Sequence, residues 1–162
     1  RKWFILNILL IFNKKKMKAK DILDKKGRKI FFFFFYDTIR VAVNALAELK
    51  IGLLIIKNDN NETSGVLSER DIVNKCMYLN KNADTELVKS IMTPRENIKI
   101  ANDTDSIHEL MTLMNDSKIR HLPIVKNDTL EGVISIGDVL KRMLELKEFE
   151  IKNLSGYISG QY

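Results

Sequence analysis

Apolar positions along the chain predict two short series of helices and strands. The first series begins after Thr38, where Ile39, Val43 and Leu46 are spaced as one face of an α-helix. The second begins at Ser106, where the sequence S-x-x-E has the pattern of a capping box and is followed by a similar apolar stripe. Each series therefore contains this helix, and the predicted order places a short strand before it.

Each of these helices is followed by two apolar runs, which predict two strands joined by a polar turn. The strands cover residues 53–56 and 65–67 in the first series, and residues 122–125 and 132–134 in the second. Further helices are predicted from about Asp71 and Asp138. The second of these carries apolar residues at Val139, Met143 and Leu146, continuing to Phe149, and such a long stripe predicts packing against another chain.

The two series are copies of one unit. Residues 65–72 recur as 132–139, residues 49–56 match 117–124, and residues 20–23 match 89–92, at offsets of 67, 68 and 69. Three blocks in the same order at nearly the same spacing indicate a duplication. We therefore divide the chain into a leader (1–16), a first repeat (17–86), a second repeat (87–150) and a tail (151–162).

Charge changes this picture only at the leader. Residues 1–29 hold eleven Lys or Arg and two Asp or Glu, whereas the other 133 residues hold sixteen basic and nineteen acidic side chains. Residues 30–162 thus carry a net charge of −3 and lack the basic stripe that tracks nucleic-acid phosphates. The single cysteine, Cys76, excludes an intramolecular disulfide and fits a reducing compartment, so we expect a cytoplasmic protein.

The leader contains a short apolar run between basic residues. Residues 3–12 are apolar except for Asn7, and a run of that length is too short to cross a bilayer. We interpret residues 1–16 as upstream sequence or as an element packed on the body, and a membrane-surface anchor is the alternative.

The block G-h-h-S-x-x-D (h, apolar) occurs at the end of the last strand of each repeat. It contains Ser68 with Asp71 in the first repeat and Ser135 with Asp138 in the second. A carboxylate there could accept the hydroxyl groups of a ribose, and the N–H groups of a helix N-terminus favour a phosphate. Simple N-capping of the helix is the alternative interpretation for either block.

The duplicated strand–helix–strand–strand–helix order, with this block in each copy, resembles the CBS-domain family. Residues 68–71, 119–125, 132–138 and 154–160 carry the resemblance, which covers about residues 17–160. It implies an α/β (α+β) fold of tandem CBS repeats packed about a pseudo-two-fold axis as a Bateman module. It also implies a cleft between the repeats that binds AMP, ATP, NAD(H) or a related adenosyl ligand.

By the same resemblance, Ser68, Asp71, Ser135 and Asp138 would hold ribose hydroxyls. Arg120 and His121 fall where the family often places phosphate-binding side chains, and a guanidinium suits a phosphate. In the alternative interpretation, Arg120 and His121 are ordinary half-exposed strand residues.

The two predicted sites differ. Gly52 and Leu53 stand in the first repeat where the second has Arg120 and His121, although Arg70 could substitute because its counterpart is Gly137. The first repeat also departs from the family pattern in five consecutive phenylalanines, residues 31–35. Strict alternation would bury only every second ring. The others would pack under the leader or against a partner, or the run is an anomaly of the sequence.

We expect no catalysis and no metal site. His108 and His121 are the only histidines, and the sequence contains neither a P-loop nor the GxGxxG motif. The expected protein is a homodimeric sensor of adenine nucleotides whose occupied state alters a partner protein. The alternatives are a regulatory fragment of a membrane transporter and a nucleic-acid-binding CBS protein.

Overall fold

The structure, a computed structural model of the protein, describes residues 17–158, apart from the side chains of Phe149, Glu150 and residues 152–158. The predicted leader and the last residues of the tail lie outside this part. In chain order the helices and strands are α1 (Ala19–Lys26), β1 (Phe32–Phe34), α2 (Ile39–Leu49), β2 (Leu53–Lys57), β3 (Thr63–Ser68), α3 (Glu69–Asp71), a π-helical segment (Ile72–Met77), a 3₁₀ turn (Val88–Ser90), β4 (Thr93–Pro94), a second 3₁₀ turn (Arg95–Asn97), β5 (Ala101–Asn102), α4 (Ile107–Asp116), β6 (His121–Lys126), β7 (Thr129–Ser135) and α5 (Ile136–Ile158).

The elements form two compact units, each with its own sheet. The central unit, Lys29–Lys99, has the strand order β1-β2-β3-β4, with β1 parallel to β2 and the other pairs antiparallel. The terminal unit contains, among the described residues, 17–28 and 100–158, and it has the order β5-β6-β7, with β5 parallel to β6 and β7 antiparallel to it. The predicted mixed α/β class with strand–helix–strand–strand–helix repeats is confirmed.

Polar residues start helices α2 and α4 where the sequence predicted. The hydroxyl of Thr38 accepts a hydrogen bond from the backbone N–H of Val41 at 3.4 Å. Ser106 and Glu109 form the predicted capping box at the start of α4. Both caps satisfy N–H groups that the first turn of a helix otherwise leaves unpaired.

The first segment of each repeat packs with residues of the other repeat. Helix α1 opens the first repeat but buries Ile22 and Leu23 in the core of the terminal unit, with residues of the second repeat. The equivalent segment at the start of the second repeat buries Val88 and Ile91 in the core of the central unit. The compact units are therefore offset from the sequence repeats.

Two equivalent glycines make room for this exchange. A Cβ on Gly132 would lie 2.7 Å from Cδ2 of Leu23, and a Cβ on Gly65 would lie 2.6 Å from the carbonyl oxygen of Thr93. A Cβ at either position would collide with atoms already there. Because glycine has no Cβ, α1 can approach β7 at Gly132 and β4 can pair with β3 at Gly65.

The phenylalanine run alternates as a strand should. Phe31, Phe33 and Phe35 pack against the core of the central unit. Phe32, by contrast, remains 44% exposed, and its ring lies 4.2 Å from Nζ of Lys57. Phe34 stacks on the half-exposed ring of Tyr36 with 5.1 Å between the ring centroids. Within the central unit, the prediction that every second ring stays outside the core is thus confirmed.

The prediction of an exposed apolar stripe on the last helix is wrong in part. Val139 is fully buried and Met143 packs against the core of the terminal unit, because α1 and α4 both contribute side chains to the core on this side of α5. The exposed apolar side chains are instead Leu140, Leu144 and Ile151, with Leu146 at 38% exposure, while the side chain of Phe149 lies outside the described part.

Candidate functional site

In the second repeat, the duplicated Ser/Asp block folds into a capping box at the start of α5. The backbone N–H of Ser135 donates to Oδ2 of Asp138 at 2.8 Å, and the Ser135 hydroxyl donates to the same oxygen at 2.7 Å. The N–H of Asp138 donates back to that hydroxyl at 3.2 Å. Because Ser135 is the residue before the helix, α5 begins at Ile136, two residues earlier than predicted.

The first repeat has the same arrangement at the start of α3. Oδ2 of Asp71 accepts hydrogen bonds from the N–H and the hydroxyl of Ser68 at 2.9 and 2.6 Å, and the N–H of Asp71 donates to the hydroxyl at 3.3 Å. Here too the helix begins earlier than predicted, at Glu69.

A third box, Ser106 with Glu109, makes matching contacts. The hydroxyl of Ser106 donates to Oε2 of Glu109 at 2.6 Å and accepts from the N–H of Glu109 at 3.3 Å. Capping therefore accounts for the Ser–Asp contacts in both repeats, as the alternative interpretation held. The capping contacts use only Oδ2 of each aspartate, and the two aspartates differ in what contacts Oδ1.

A lysine pairs with each of these aspartates. Nζ of Lys26, in α1, lies 2.6 Å from Oδ2 of Asp138 and donates to the carbonyl oxygen of Val133 at 2.9 Å. Nζ of Lys75 lies 2.6 Å from Oδ1 of Asp71. The other oxygen of Asp138, Oδ1, accepts no hydrogen bond from any residue in the described part of the chain.

These contacts set the charge of Asp138. Burial raises the pKa of its carboxyl, but hydrogen bonds from Lys26 and Ser135 outweigh burial, so that the pKa lies below its ordinary value. The carboxylate is therefore ionised at neutral pH, as an acceptor for hydroxyl groups must be.

Strand pairing brings the predicted phosphate residue to the predicted ribose site. His121 is the direct partner of Ser135 across β6 and β7, and cross-strand partners share one face of a sheet. The carbonyl oxygen of Arg120 accepts a hydrogen bond from the N–H of Ile136 at 2.8 Å. The guanidinium of Arg120 is exposed and forms no ion pair within residues 17–158.

The first repeat has no basic side chain at the matching strand position. Leu53 is the partner of Ser68 across β2 and β3, and the carbonyl oxygen of Gly52 accepts a hydrogen bond from the N–H of Glu69 at 3.4 Å. Arg70 is exposed in α3, one residue before Asp71.

Sequence reasoning missed both lysines. Lys75 follows Asp71 by four residues, which is the spacing of an ion pair on one helix face and could have been recognised. Lys26 is separated from Asp138 by 112 residues, and only the packing of α1 on the second repeat's sequence brings the two together.

The described residues hold neither a membrane-spanning helix nor a metal cluster. No helix there is long and apolar enough to cross a membrane. No group of three or more His, Cys, Asp and Glu side chains with the geometry to hold a metal ion occurs among those residues.

Comparison with known proteins identifies the family. The model of the CBS domain matches residues 19–78 and again residues 88–145. The chain is 26% identical over 148 residues to a mitochondrial CBS domain-containing protein, CBSX3, of Arabidopsis thaliana, a match that covers 88% of this chain and 72% of the relative.

Solved structures agree. A signal-transduction protein with CBS domains from Burkholderia ambifaria is 30% identical, with a TM-score of 0.75 over 80% of this chain and 95% of that one. The CBS-domain protein ATU1752 from Agrobacterium tumefaciens is 29% identical, with a TM-score of 0.73 and the same coverage. The chain belongs to the CBS-domain family, and its two domains make it a CBS-pair protein of the regulatory kind.

Proposed function

We propose that this CBS pair binds an adenine nucleotide (AMP, ATP or NAD(H)) as a regulatory signal and catalyses no reaction itself. The observation that carries the proposal is the carboxylate of Asp138. It is ionised, three-quarters buried and held rigidly at the start of α5, yet its Oδ1 accepts no hydrogen bond within the described residues. A ribose hydroxyl is a donor that would satisfy this acceptor.

The surroundings of Asp138 suit a phosphorylated nucleoside. His121 lies across the strand pair from Ser135, and the exposed guanidinium of Arg120 is one residue away. A guanidinium presents paired N–H donors that match phosphate oxygens. Family membership supports the same ligand class, because the resemblance in the sequence implies adenosyl ligands for these positions.

Occupancy would control a partner protein through mass action, with the largest response where the ligand concentration is close to the dissociation constant. The partner, the preferred nucleotide and a location in the cytoplasm are parts of the proposal. Self-association as a homodimer belongs to it as well.

The test is the melting temperature of the protein with and without AMP, ATP or NADH. At a ligand concentration about 100 times the dissociation constant, binding adds roughly 2.7 kcal/mol to the free energy of unfolding, or roughly 5–10 °C for a chain of this size. Asp138→Asn should abolish the ligand-induced increase.

The matched control is Glu109→Gln, which alters a capping box of the same geometry outside the proposed site. It should lower the melting temperature of the free protein but keep the ligand-induced increase. Absence of an increase with every adenosyl compound, or an increase that survives Asp138→Asn, would contradict the proposal.

A further inference from the structure

Oδ2 of Asp138 is fully occupied in the absence of a ligand. It accepts from the N–H of Ser135 at 2.8 Å, from the Ser135 hydroxyl at 2.7 Å and from Nζ of Lys26 at 2.6 Å. A carboxylate offers about four lone-pair sites over its two oxygens, so three donors already exceed the share of one oxygen. Oδ1, by contrast, accepts from none of the described residues.

A ribose presents two hydroxyl groups on neighbouring carbons. They lie side by side, as the two oxygens of a carboxylate do, and the favourable arrangement gives one hydroxyl to each oxygen. The first hydroxyl can bind Oδ1 directly. The second can reach Oδ2 only if one of the three present donors leaves.

Lys26 is the donor that can leave. The N–H of Ser135 belongs to the capping box and cannot be withdrawn without unwinding the start of α5. The Ser135 hydroxyl can rotate its proton away, but its oxygen stays in place as the acceptor for the N–H of Asp138. The Lys26 side chain is long and 36% exposed, and an ion pair at such a position contributes little net free energy because water replaces it readily.

We propose that Lys26 occupies the ribose acceptor of Asp138 in the free protein and that a ligand with vicinal hydroxyls displaces it. Lys26 then acts as a specificity-determining residue. It competes with the second ribose hydroxyl for Oδ2 of Asp138, whereas a 2′-deoxyribose has no second hydroxyl for which Lys26 must be displaced. The inference rests on the proposed nucleotide site.

Displacement at this site is transmitted to another element. The end of α1 is fastened to the second repeat's sequence by Lys25 with Glu145, by Lys26 with Asp138 and Val133, and by Arg28 with Glu131. Loss of the middle contact loosens the last turn of α1. In the first repeat the pairing lysine, Lys75, lies four residues after Asp71, and its Nζ also donates to the carbonyl oxygen of Ile91 at 3.1 Å.

The test is calorimetric titration of the whole chain with adenosine and with 2′-deoxyadenosine. Lys26→Met should tighten adenosine binding by roughly two- to fivefold, the range set by an exposed ion pair, and change 2′-deoxyadenosine binding much less. Lys26→Gln, which keeps a donor for the Val133 carbonyl but loses the charge, should act in the same direction. The control Lys25→Met removes a neighbouring charge that pairs with Glu145 and should leave both affinities unchanged.

Hydrogen exchange supplies a second readout. The N–H of Gly27 donates to the carbonyl of Leu23 at 2.8 Å and closes the last turn of α1. Adenosine should speed its exchange in the native chain and leave it unaffected in Lys26→Met. Unchanged or weaker adenosine binding by Lys26→Met would overturn the displacement alone. If no variant binds adenosine, AMP, ATP or NADH, the proposed function itself is wrong, and this inference with it.

Discussion

Leu53 and Ser68 are direct partners across β2 and β3, in the relationship that His121 has to Ser135 across β6 and β7. The two CBS domains therefore present the same capping box beside different side chains. In one domain the neighbour is apolar, and in the other it is an imidazole with Arg120 next to it. This difference predicts unequal nucleotide sites.

Titration with AMP should show one tight and one weak site. A hydrogen bond to a charged group contributes about 1.5–3 kcal/mol, so its absence from the first domain weakens binding there by roughly 10- to 100-fold. Adenosine, which has no phosphate, should distinguish the sites less. The double variant Arg120→Ala with His121→Ala should abolish the tight AMP site, and two equal sites in the native chain would count against this assignment. Arg70 could offset part of the difference.

The contacts of Asp138 predict how stability depends on pH. Its pKa in the folded chain lies below the ordinary value, because hydrogen bonds from Lys26 and Ser135 outweigh the effect of burial. The unfolded chain binds this proton first as the pH falls, so the stabilisation is complete well above pH 4 and is lost as the pH falls through the folded pKa.

Unfolding in urea across pH 2–7 measures this effect. The free-energy difference between the native chain and Asp138→Asn should be largest near neutral pH and shrink below about pH 4. Lys26→Met should move the pKa of Asp138 upward, which a carboxyl-carbon NMR titration would detect. A difference that grows on acidification would mean that burial dominates after all.

Equivalent glycines should differ in their tolerance of a methyl group. The Cβ of Gly65→Ala would lie 2.6 Å from a backbone oxygen, that of Thr93, which cannot move without disturbing β4. The Cβ of Gly132→Ala would meet the end of the Leu23 side chain at 2.7 Å, and a side-chain end can rotate. We expect Gly65→Ala to lower the free energy of unfolding by about 1–3 kcal/mol and Gly132→Ala by less. Chemical denaturation of both variants decides the order.

Exposed apolar residues on α5 predict self-association. Leu140, Leu144 and Ile151 are 47%, 65% and 61% exposed, and they lie near one face of the helix. Apolar patches of this kind on a folded protein commonly mark an interface. Light scattering at micromolar concentration should give the mass of a dimer, and Leu144→Glu should shift it toward the monomer. Lys141→Glu is the control on the same helix, and a monomeric mass for the native chain would refute the prediction.

Local patterns in the sequence were sufficient for most of the fold. The spacing after Thr38 and the S-x-x-E pattern at Ser106 identified α2 and α4, because capping and helical periodicity involve residues within a few positions of each other. The start of α5 was misjudged by two residues, since Asp138 was taken as its first residue when Ser135 is its cap.

Sequence patterns could not predict contacts between segments that are distant along the chain. Helical spacing on α5 indicated a stripe through Val139 and Met143 but could not reveal that side chains of α1 and α4 share the core with it. The pairing of Lys26 with Asp138 depends on the same packing, and nothing near either residue in the sequence signals it. The sequence thus named ligand residues that stay predictions, but it did not indicate the lysine that pairs with one of them.

The exchange of segments at Gly65 and Gly132 separates the unit of duplication from the unit of folding. A chain cut between the repeats would give a first piece without β4 and a second piece without α1, and each would expose the core that the missing segment covers. We therefore expect each half to be fully stable only when the other supplies its segment. Duplication of the sequence here has produced two copies that each complete the core of the other.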